Sequence, residues 1–170
     1  MAYSTVPKAK KDGQLVFNDG TTPTAVTLEV AYEEGNFTFD KPVRDEVVVR
    51  DRGVITTVRQ GDEQPITGSF NFFMREFTDT TNAGSIQDFI NKTGNYLANE
   101  STGTGGSVYV EHHAVDIAYT VEGTNFNDDA DHVATFSKCV CVLSFAEGDP
   151  NAFTLNFTCY GGVTFTGPGT

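Results

Sequence analysis

Apolar and polar residues alternate along most of this chain, with a period of two residues. In residues 26–30, for example, valine and leucine alternate with smaller or polar residues. Side chains of a β-strand point alternately to its two faces, so this period is typical of strands with one buried face. The sequence therefore predicts a mainly β fold, a β-sandwich or partial barrel of long antiparallel strands.

The first half of the chain predicts short strands joined by turns. Residues 26–30 and 37–39 both alternate and flank turn-forming residues at 34–36, so we expect the two segments to pair as a hairpin. Similar patterns predict strands at residues 47–49, 55–58 and 70–74, the first two separated by Gly53.

Longer strands are predicted in the second half of the chain. A dozen strand residues span about 40 Å, more than a small sandwich needs to cover its core, and such strands often pair with a neighbouring molecule. The three segments are residues 107–121, 133–145 and 152–165.

One short helix is predicted at residues 85–93. Ser85 can cap its first turn, and Gly94 can close its last turn. We expect this helix to cover one face or edge of the sheet. Its apolar stripe consists of Ile86, Phe89 and Ile90.

The length of the chain fits one ordinary domain, because 170 residues with 38% hydrophobic content are enough to bury a core. We expect a single domain over residues 1–170, with flexible arms at about 1–13 and 166–170. No segment approaches the length of a membrane span, and no apolar stretch follows the basic residues near the N-terminus. We therefore expect no membrane anchor and synthesis in a cytosol.

The formal net charge of −12 disfavours tight binding of nucleic acid, because an acidic surface repels phosphate. The same charge opposes self-association unless it is held apart, for example along a solvent-filled channel. Charge thus argues against a nucleic-acid-binding module and limits how copies of the chain can pack together.

The adjacent pair His112 and His113, followed by Asp116, is the first candidate for catalysis or metal binding. On a strand, adjacent side chains point to opposite faces, so both histidines cannot bind one ion. His112 and Asp116 would share a face but stand about 13 Å apart along an extended strand. We therefore expect a solvated or interface strand here.

Residues 125–132 carry oxygen ligands at alternate positions, as calcium-binding loops do. An EF-hand, however, would need Gly where Ala130 stands and Glu where Phe136 stands. We favour the alternative that this segment is an acidic hairpin loop.

The three cysteines are predicted to pack in the core. Cys139 and Cys141 share one strand face but lack the second pair of ligands that zinc requires, and Cys159 is a candidate cross-strand neighbour. The sequence also contains no phosphate-binding loop, nucleophile elbow or zinc-protease helix motif. We therefore expect no catalytic residue, no metal site and no cofactor, and a structural protein rather than an enzyme.

Charged turns and a Phe-rich strand come together between residues 48 and 77. The motifs are Arg50-Asp51-Arg52-Gly53, then Gly61-Asp62-Glu63-Gln64-Pro65, then Gly68-Ser69-Phe70-Asn71-Phe72. This segment resembles the tail tube proteins of long non-contractile-tailed bacteriophages, in which an Arg-Gly element is followed by a Gly-Asp-Glu-x-Pro turn and a Phe-rich strand. The later order of helix, flexible loop and three long strands agrees with that family in outline.

The resemblance implies a structural subunit of a phage tail tube. Subunits of this family form homo-hexameric rings that stack into a hollow tube with an acidic lumen, through which phage DNA passes without specific binding. The partners so implied are further copies of the chain and the tail tip (initiator), tape measure and terminator proteins. The location so implied is the virion tail, after synthesis in the host bacterial cytoplasm. Sheets shared between subunits would also explain the long strands, because pairing removes exposed edges.

Candidate contact residues follow from the resemblance and from position. We expect ring stacking to involve the basic N-terminal arm and the loop at residues 40–51. For the lumen, the candidates are Glu111 and Asp116 on a predicted long strand. The candidate subunit-interface residues are Lys8, Lys10, Lys11, Arg50, Arg52, Arg59, Asp62 and Glu63.

Other functions remain open on the sequence. A stand-alone β-sandwich binding module, carbohydrate-binding or capsid-decorating, fits the composition, although the chain has no Trp to form a sugar platform. The tube subunit of a contractile or secretion injection system has a similar architecture. A small hydrolase is disfavoured, because no nucleophile and base can be argued onto one face.

Overall fold

The computed structural model describes residues 13–21, 27–30, 36–73, 86–93, 96, 112–126 and 128–168. These ranges contain ten β-strands, one α-helix (α1, Ile86–Asn91) and a 3₁₀ turn at Thr124–Phe126. The strands are β1 (Gly13–Asn18), β2 (Thr27–Val30), β3 (Thr38–Asp40), β4 (Glu46–Asp51), β5 (Val54–Gln60), β6 (Ile66–Phe73), β7 (Val115–Val121), β8 (His132–Ala146), β9 (Ala152–Cys159) and β10 (Val163–Thr166).

Eight of the strands form one antiparallel sheet. Its order is β2-β1-β7-β8-β9-β6-β3, and β10 pairs with the first part of β8. The strands β4 and β5 pair with each other in a second, two-stranded sheet, which we call the ribbon. The chain is thus mainly β, with the ribbon inserted between two strands that are neighbours in the main sheet, β3 and β6.

Aromatic contacts show that the main sheet curls into a partial barrel. Phe37, just before the edge strand β3, stacks on Tyr119 of β7 with ring centroids 4.7 Å apart. Phe39 of β3 meets Phe136 of β8 at 5.0 Å. Because β3 stands three places from β8 in the sheet order, these contacts require the sheet to close towards itself. The predicted partial barrel with one short helix is confirmed.

A core rich in phenylalanine fills the inside of the curl. Alternate residues of β1, β6, β7, β8 and β9 point into this core, and α1 covers it with Ile86, Phe89 and Ile90. Aromatic rings bury large areas, and with 14 Phe and no Trp the chain relies on phenylalanine for this purpose. The largest fully buried side chains are Phe17, Phe70, Phe89 and Phe136.

The predicted hairpin of residues 26–30 and 37–39 is wrong. β2 pairs with β1 and β3 pairs with β6, so the two segments stand at opposite ends of the sheet order. The alternating pattern identified both strands correctly. A period of two, however, shows which face of a strand is buried and carries no information about its partner.

The three predicted long strands differ from the structure in two places. Residues 112–114 precede β7 and do not extend it, while 107–111 lie outside the described residues. The strand β8 is long as predicted, with 15 residues. The third segment is divided into β9 and β10, because the turn at 160–162 faces a bulge in β8 where Lys138 has a φ of 58°.

The predicted helix is confirmed at α1, and its apolar stripe is buried. Its end differs, because Lys92 takes the left-handed conformation with a φ of 55°, and Thr93 donates hydrogen bonds from its N–H and its hydroxyl to Asp88. Ser85 and Gly94 lie outside the described residues. No helix within the described ranges has the length and hydropathy needed to cross a membrane.

His113 joins α1 to the segment before β7. Its Nε2 lies 3.2 Å from the carbonyl oxygen of Phe89, to which the protonated Nε2 donates. Its Nδ1 is buried without a hydrogen-bond partner in the described part of the chain. Burial lowers the pKa of His113 below its usual 6.5; Lys92 lowers it too, whereas the Phe89 hydrogen bond and Asp19 oppose the shift. The folded protein therefore holds this imidazole neutral.

The close packing of Gly68 gives a first test of the fold. A Cβ on Gly68 would overlap the ring of Phe157 and stand 2.6 Å from the carbonyl oxygen of Thr38. Gly68→Ala should therefore cost about 1–3 kcal/mol through overpacking, or roughly 3–10 °C in Tm for a chain of this size. Thermal unfolding measures this, with Thr67→Ala at the exposed neighbouring position as the control. An unchanged Tm for Gly68→Ala would contradict the packing of Phe157 on this strand.

The neutral state of His113 gives a second test. The unfolded chain takes up a proton near pH 6.5, whereas the folded chain takes it up only at lower pH. The free energy of unfolding should therefore fall as the pH drops below about 6.5 and level off below the folded pKa. Urea unfolding at pH 7.5 and 5.0 should show a smaller loss for His113→Gln, which can still donate to Phe89. An equal loss in both proteins would contradict the assignment, and His112→Gln at the exposed neighbour is the control.

Candidate functional site

The β4–β5 ribbon is the most exposed regular structure of the described chain. Every residue of both strands is exposed, including six large apolar side chains that are 40% to 69% exposed. A two-stranded hairpin alone is marginally stable in water, and a contiguous exposed apolar surface marks a site of interaction. The ribbon is therefore the main candidate for contact with a partner. Its apolar residues are Val47, Val48, Val49, Val54, Ile55 and Val58.

Local sequence explains why the ribbon forms. Arg52 and Gly53 at its tip have φ values of 49° and 84°, as the two-residue turn that suits the twist of a hairpin requires. Val48 and Val58 stand directly opposite each other and share one face. The neighbouring valines of β4 point to the other face, so both faces of the ribbon are apolar.

Hydrogen bonds at the base of the ribbon continue its pairing beyond the strands. Asp45 N–H donates to the carbonyl oxygen of Asp62 at 3.1 Å, and Gly61 N–H donates back to Asp45. The Gln64 amide donates to the Asp45 carboxylate at 2.9 Å. Arg44 and Glu63 form an exposed ion pair at 3.1 Å, which orients the base more than it stabilises it.

Five of the predicted interface residues lie together on the ribbon or at its base. Four of the five arginines of the chain fall within residues 44–60, which also contain three carboxylates. Arg50, Arg52 and Arg59 have no ion-pair partner in the described ranges. Lys8, Lys10 and Lys11 lie outside the described residues. The five are Arg50, Arg52, Arg59, Asp62 and Glu63, all exposed, and their role in an interface stays a prediction.

The apolar ribbon residues were missed by sequence reasoning, which selected the charged ones. The signal was the run of three valines at 47–49, which leaves no polar face on this strand. A strand that is apolar on both faces is typical of burial on both sides. Within the described chain nothing buries it.

A second apolar surface is a shallow groove of about 270 Å³ where β7, β8 and β10 end. Phe39, Tyr119, Val121, Val133 and Phe165 contribute to its lining. Phe165 is 53% exposed. His132 forms part of the wall, and its ring lies against Gly167. The groove thus offers aromatic and aliphatic side chains to a partner.

An acidic loop, residues 122–131, joins β7 to β8 between the groove residues Val121 and His132. Asp131 accepts hydrogen bonds from the N–H groups of Gly123 and Thr124 at 2.8 and 3.0 Å and so caps the 3₁₀ turn. The Glu122 carboxylate accepts from the Asn125 amide at 2.7 Å. The prediction of an acidic hairpin loop is confirmed. Among the described residues no group of three or more metal-ligating side chains is brought together.

The structure gives His112, His113 and Asp116 separate environments. His112 is exposed, whereas His113 contacts α1. Asp116 accepts a hydrogen bond from the N–H of Lys138 at 2.8 Å and so holds the bulge of β8. Glu111 lies outside the described residues, and the lumen role of Asp116 stays a prediction.

The cysteines pack in the core of the sheet. Cys139 and Cys159 are cross-strand partners in the β8–β9 pairing, and both are fully buried. The Cys159 thiol donates to the carbonyl oxygen of Ser137 at 3.0 Å. The hydrogen bond between the Cys139 and Cys159 thiols raises the pKa of Cys139, and burial raises it further. Burial also raises the pKa of Cys141 to about 12. Cys139 and Cys141 therefore stay protonated, which disfavours both nucleophilic and metal-binding roles.

The sheet face opposite the core is polar along β6 and β9, carries valines on β1 and β8, and is almost free of positive charge. Alternate residues of β6 and β9 place threonine, serine and asparagine on this face. Asp116 also lies there, because its neighbours Val115 and Ile117 point into the core. The eight strands of the main sheet contain no arginine and one lysine, Lys138. A phosphate group would find few partners on this face.

Solved structures with the same fold come from contractile injection particles. A chain of the anti-feeding prophage baseplate, six-fold symmetrised, is 12% identical, with a TM-score of 0.57 over 100% of both chains. A chain of the extended sheath–tube complex of the PVC extracellular contractile injection system is 10% identical, with a TM-score of 0.58 over 98% of this chain and 99% of that one. A chain of the tube-terminating cap of the anti-feeding prophage is 10% identical, with a TM-score of 0.58 over 98% and 95%.

No protein-family model matches the sequence, and no curated protein is significantly similar to it. Identities of 10% to 12% establish a shared fold only. This fold extends over nearly the full length of each chain compared. The chain therefore has the fold of components of phage-tail-like injection particles.

Proposed function

We propose that this chain is the structural subunit of a phage-tail-like tube, in which homo-hexameric rings stack around a hollow lumen. The observation that carries the proposal is the ribbon, whose apolar residues are exposed on both faces and need a partner. The fold shared end to end with chains of particles built from a baseplate, a sheath–tube complex and a cap supports a role in assembly.

Burial of the ribbon between subunits would stabilise the assembly. Full burial of one valine side chain contributes about 1.5 kcal/mol or more. Five valines and one isoleucine are available, each 40% to 69% exposed. A partner that covers one face of the ribbon therefore gains about half of such a contribution from each residue that it covers. Because the chain carries a net charge of −12, this apolar gain must outweigh the repulsion between copies.

The polar face of the main sheet is the proposed wall of the lumen. With one lysine and no arginine in the eight strands, this face offers duplex DNA almost no phosphate contacts. Asp116 adds negative charge on the same face. The lumen would therefore be polar and neutral to acidic, so that DNA could move through it without sticking.

The proposed tube fits two kinds of particle, a phage tail and a contractile injection system. The motifs between residues 48 and 77 favour the tail of a long non-contractile-tailed phage, located in the virion and made in the host cytoplasm. The solved structures favour a contractile injection system. In either setting the role is structural rather than enzymatic. The proposed partners are further copies of the chain, a tip or initiator, a tape measure and a terminator.

A test of this proposal is negative-stain electron microscopy of the concentrated protein, with static light scattering on the same sample. We expect hollow tubes or six-fold rings. A monomer at every concentration, also after addition of preformed tube ends from particles that contain this chain, would contradict the proposal. Well-defined dimers without rings would favour a binding module.

Replacement of Val48 and Val58, which share one face of the ribbon, should weaken assembly without affecting the fold. The two side chains are 40% and 53% exposed in the free chain. Val48→Ser with Val58→Ser therefore removes about 1.5–3 kcal/mol of apolar burial per contact, or roughly a 10- to 100-fold loss in affinity. The Tm of the main sheet should stay unchanged, because the ribbon side chains lie outside the core. The control is Thr57→Ser on the same ribbon. Assembly at the wild-type concentration would exclude this face from the contact.

Arginine introduced on the polar face should make the tube bind DNA. The variant Asn156→Arg with Thr67→Arg places two cations on exposed positions of β9 and β6. We expect tubes of normal shape that retain duplex DNA at low salt and release it as salt rises. A filter-binding titration against Asn156→Gln tubes measures the difference. Normal tubes without added DNA affinity would place this face away from the lumen.

A further inference from the structure

Two of the three cysteines stand directly opposite each other in the main sheet. Cys139 of β8 and Cys159 of β9 are register partners, and the register continues without a shift from this pair to the end of the hairpin. Directly opposite residues of antiparallel strands have Cα atoms about 4.5–5.5 Å apart. A disulfide bond needs a Cα separation of about 4.4–6.8 Å. The backbone therefore already holds the two residues at a separation that a disulfide can span.

The hydrogen bonds beside the pair show which kind of site it occupies. Tyr160 N–H donates to the carbonyl oxygen of Lys138 at 3.2 Å, so these two residues form a hydrogen-bonded pair of the ladder. Hydrogen-bonded and non-hydrogen-bonded pairs alternate along antiparallel strands. Cys139 and Cys159, the next pair, are therefore of the non-hydrogen-bonded kind, in which opposite side chains come closest together.

Both thiols point into the core and contact each other. The bulge at Lys138 shifts the alternation of β8, so Cys139 faces the core three residues after Phe136. Cys159 faces the same core from β9, and both side chains are fully buried. A hydrogen bond joins the two thiols. Formation of a bond between the sulfur atoms therefore requires rotation of two side chains rather than movement of the strands.

Cys141 is the alternative partner, and its position disfavours both bonds that it could make. It stands two residues from Cys139 on the same strand, at roughly 6.6 Å, with a side chain that points in parallel. Its register partner is Phe157, so it lies diagonal to Cys159 at about 7–8 Å, beyond the usual range of disulfides. Of the pairings that three cysteines allow, the fold selects one.

A route to the buried sulfur atoms exists at the turn after β9. Cys159 is the last residue of this strand, and the next residue, Tyr160, is 60% exposed. The turn is held to the bulge of β8 by the hydrogen bond from Gly161 N–H to the carbonyl oxygen of Ser137. Local opening of such bonds exposes a strand end without unfolding the core. A small uncharged oxidant needs less opening than a bulky one.

We propose that Cys139 and Cys159 are an oxidation site, at which hydrogen peroxide converts the two thiols into an intrachain disulfide within the folded chain. This inference goes beyond the proposed function and does not depend on it, because both residues belong to one chain. The bond would fix β8 to β9 beside the bulge, where the chain turns towards β10. Oxidation would thereby stabilise the junction of three strands.

Cys159 is the thiol that reacts first. The hydrogen bond from the Cys139 thiol lowers the pKa of Cys159, and burial opposes this shift. The Cys159 thiolate attacks one oxygen of the peroxide and becomes a sulfenic acid, while the O–O bond breaks and hydroxide leaves to take up a proton. The Cys139 sulfur then attacks the Cys159 sulfur, and the hydroxyl group leaves with the Cys139 proton as water. Two thiols and one peroxide thus give one disulfide and two waters.

The test is treatment of the folded protein with hydrogen peroxide near neutral pH, followed by blocking of free thiols in denaturant and mass spectrometry. The wild type should lose about 2 Da, the mass of two hydrogen atoms, and keep one thiol that can be blocked. Peptide mapping should find Cys139 linked to Cys159. The Tm should rise by roughly 4–16 °C, because the bond restricts the unfolded chain, and dithiothreitol should reverse the rise.

Three variants separate this pair from other thiol chemistry. Cys141→Ala should show the same loss of mass and the same rise in Tm as the wild type. Cys159→Ala should show neither. Cys139→Ala removes the thiol that resolves the sulfenic acid, so peroxide should leave a sulfenic acid at Cys159 that dimedone labels, with no rise in Tm. The urea-unfolded wild type is the control, and it should give mixed pairings.

Several results would overturn the proposed site. They are linkage of Cys141 in the folded wild type, an unchanged mass under conditions that oxidise the unfolded chain, or over-oxidation of Cys159 without a link. Loss of the reaction in Cys141→Ala would overturn it as well. A linked pair with an unchanged Tm would contradict the stabilising effect. All of these measurements are made on single chains, so their failure leaves the tube function standing, and absence of tubes leaves the oxidation site standing.

Discussion

The packing of Phe37 against rings from four strands is the contact on which the shape of this protein depends. It touches Phe70, Tyr119, Phe136 and Phe157, at centroid distances between 4.7 and 6.2 Å. These contacts hold the edge strand β3 over the middle of the sheet and so set the curl. Because β3 is held in place, the ribbon that follows it along the chain begins at a fixed position on the sheet. Phe39 of β3 lines the groove. One aromatic cluster thereby places both candidate contact surfaces.

Much of the fold could be predicted from the sequence, because alternation reports the buried face of each strand. Phe70 and Phe72 are buried as their spacing indicated, and so is the stripe of α1. The pairing of β2 and β3 could not be predicted, since a partner is selected by packing among distant strands. The break near Lys138 could not be predicted from β8 itself, because lysine rarely takes a positive φ. Its one sequence signal was Gly162 in the turn opposite.

Sequence reasoning identified the charged residues of the candidate site and missed its apolar residues. Charged turn residues such as Arg50 and Arg52 stand out in an acidic chain, so sequence reasoning found them. For the valines beside them, the alternating pattern predicts strands and no contact with a partner. A hydrophobic pattern shows that a strand is stabilised by burial. The pattern is the same whether the strand packs against its own chain or against another chain. Only the exposure of the ribbon in the folded chain separates the two cases.

The separation of the ribbon from the phenylalanine core has a consequence for how such a protein can diversify. Changes in the core are limited by packing, whereas changes in the ribbon meet few neighbours beyond the ribbon itself in the described part of the chain. The residues on the surface of the ribbon can therefore change during evolution while the fold is preserved. Under the proposed function, two related chains would need only a few substitutions on the ribbon to accept different partners. Under the same proposal, the ribbon is the surface to redesign when orthogonal assemblies are wanted.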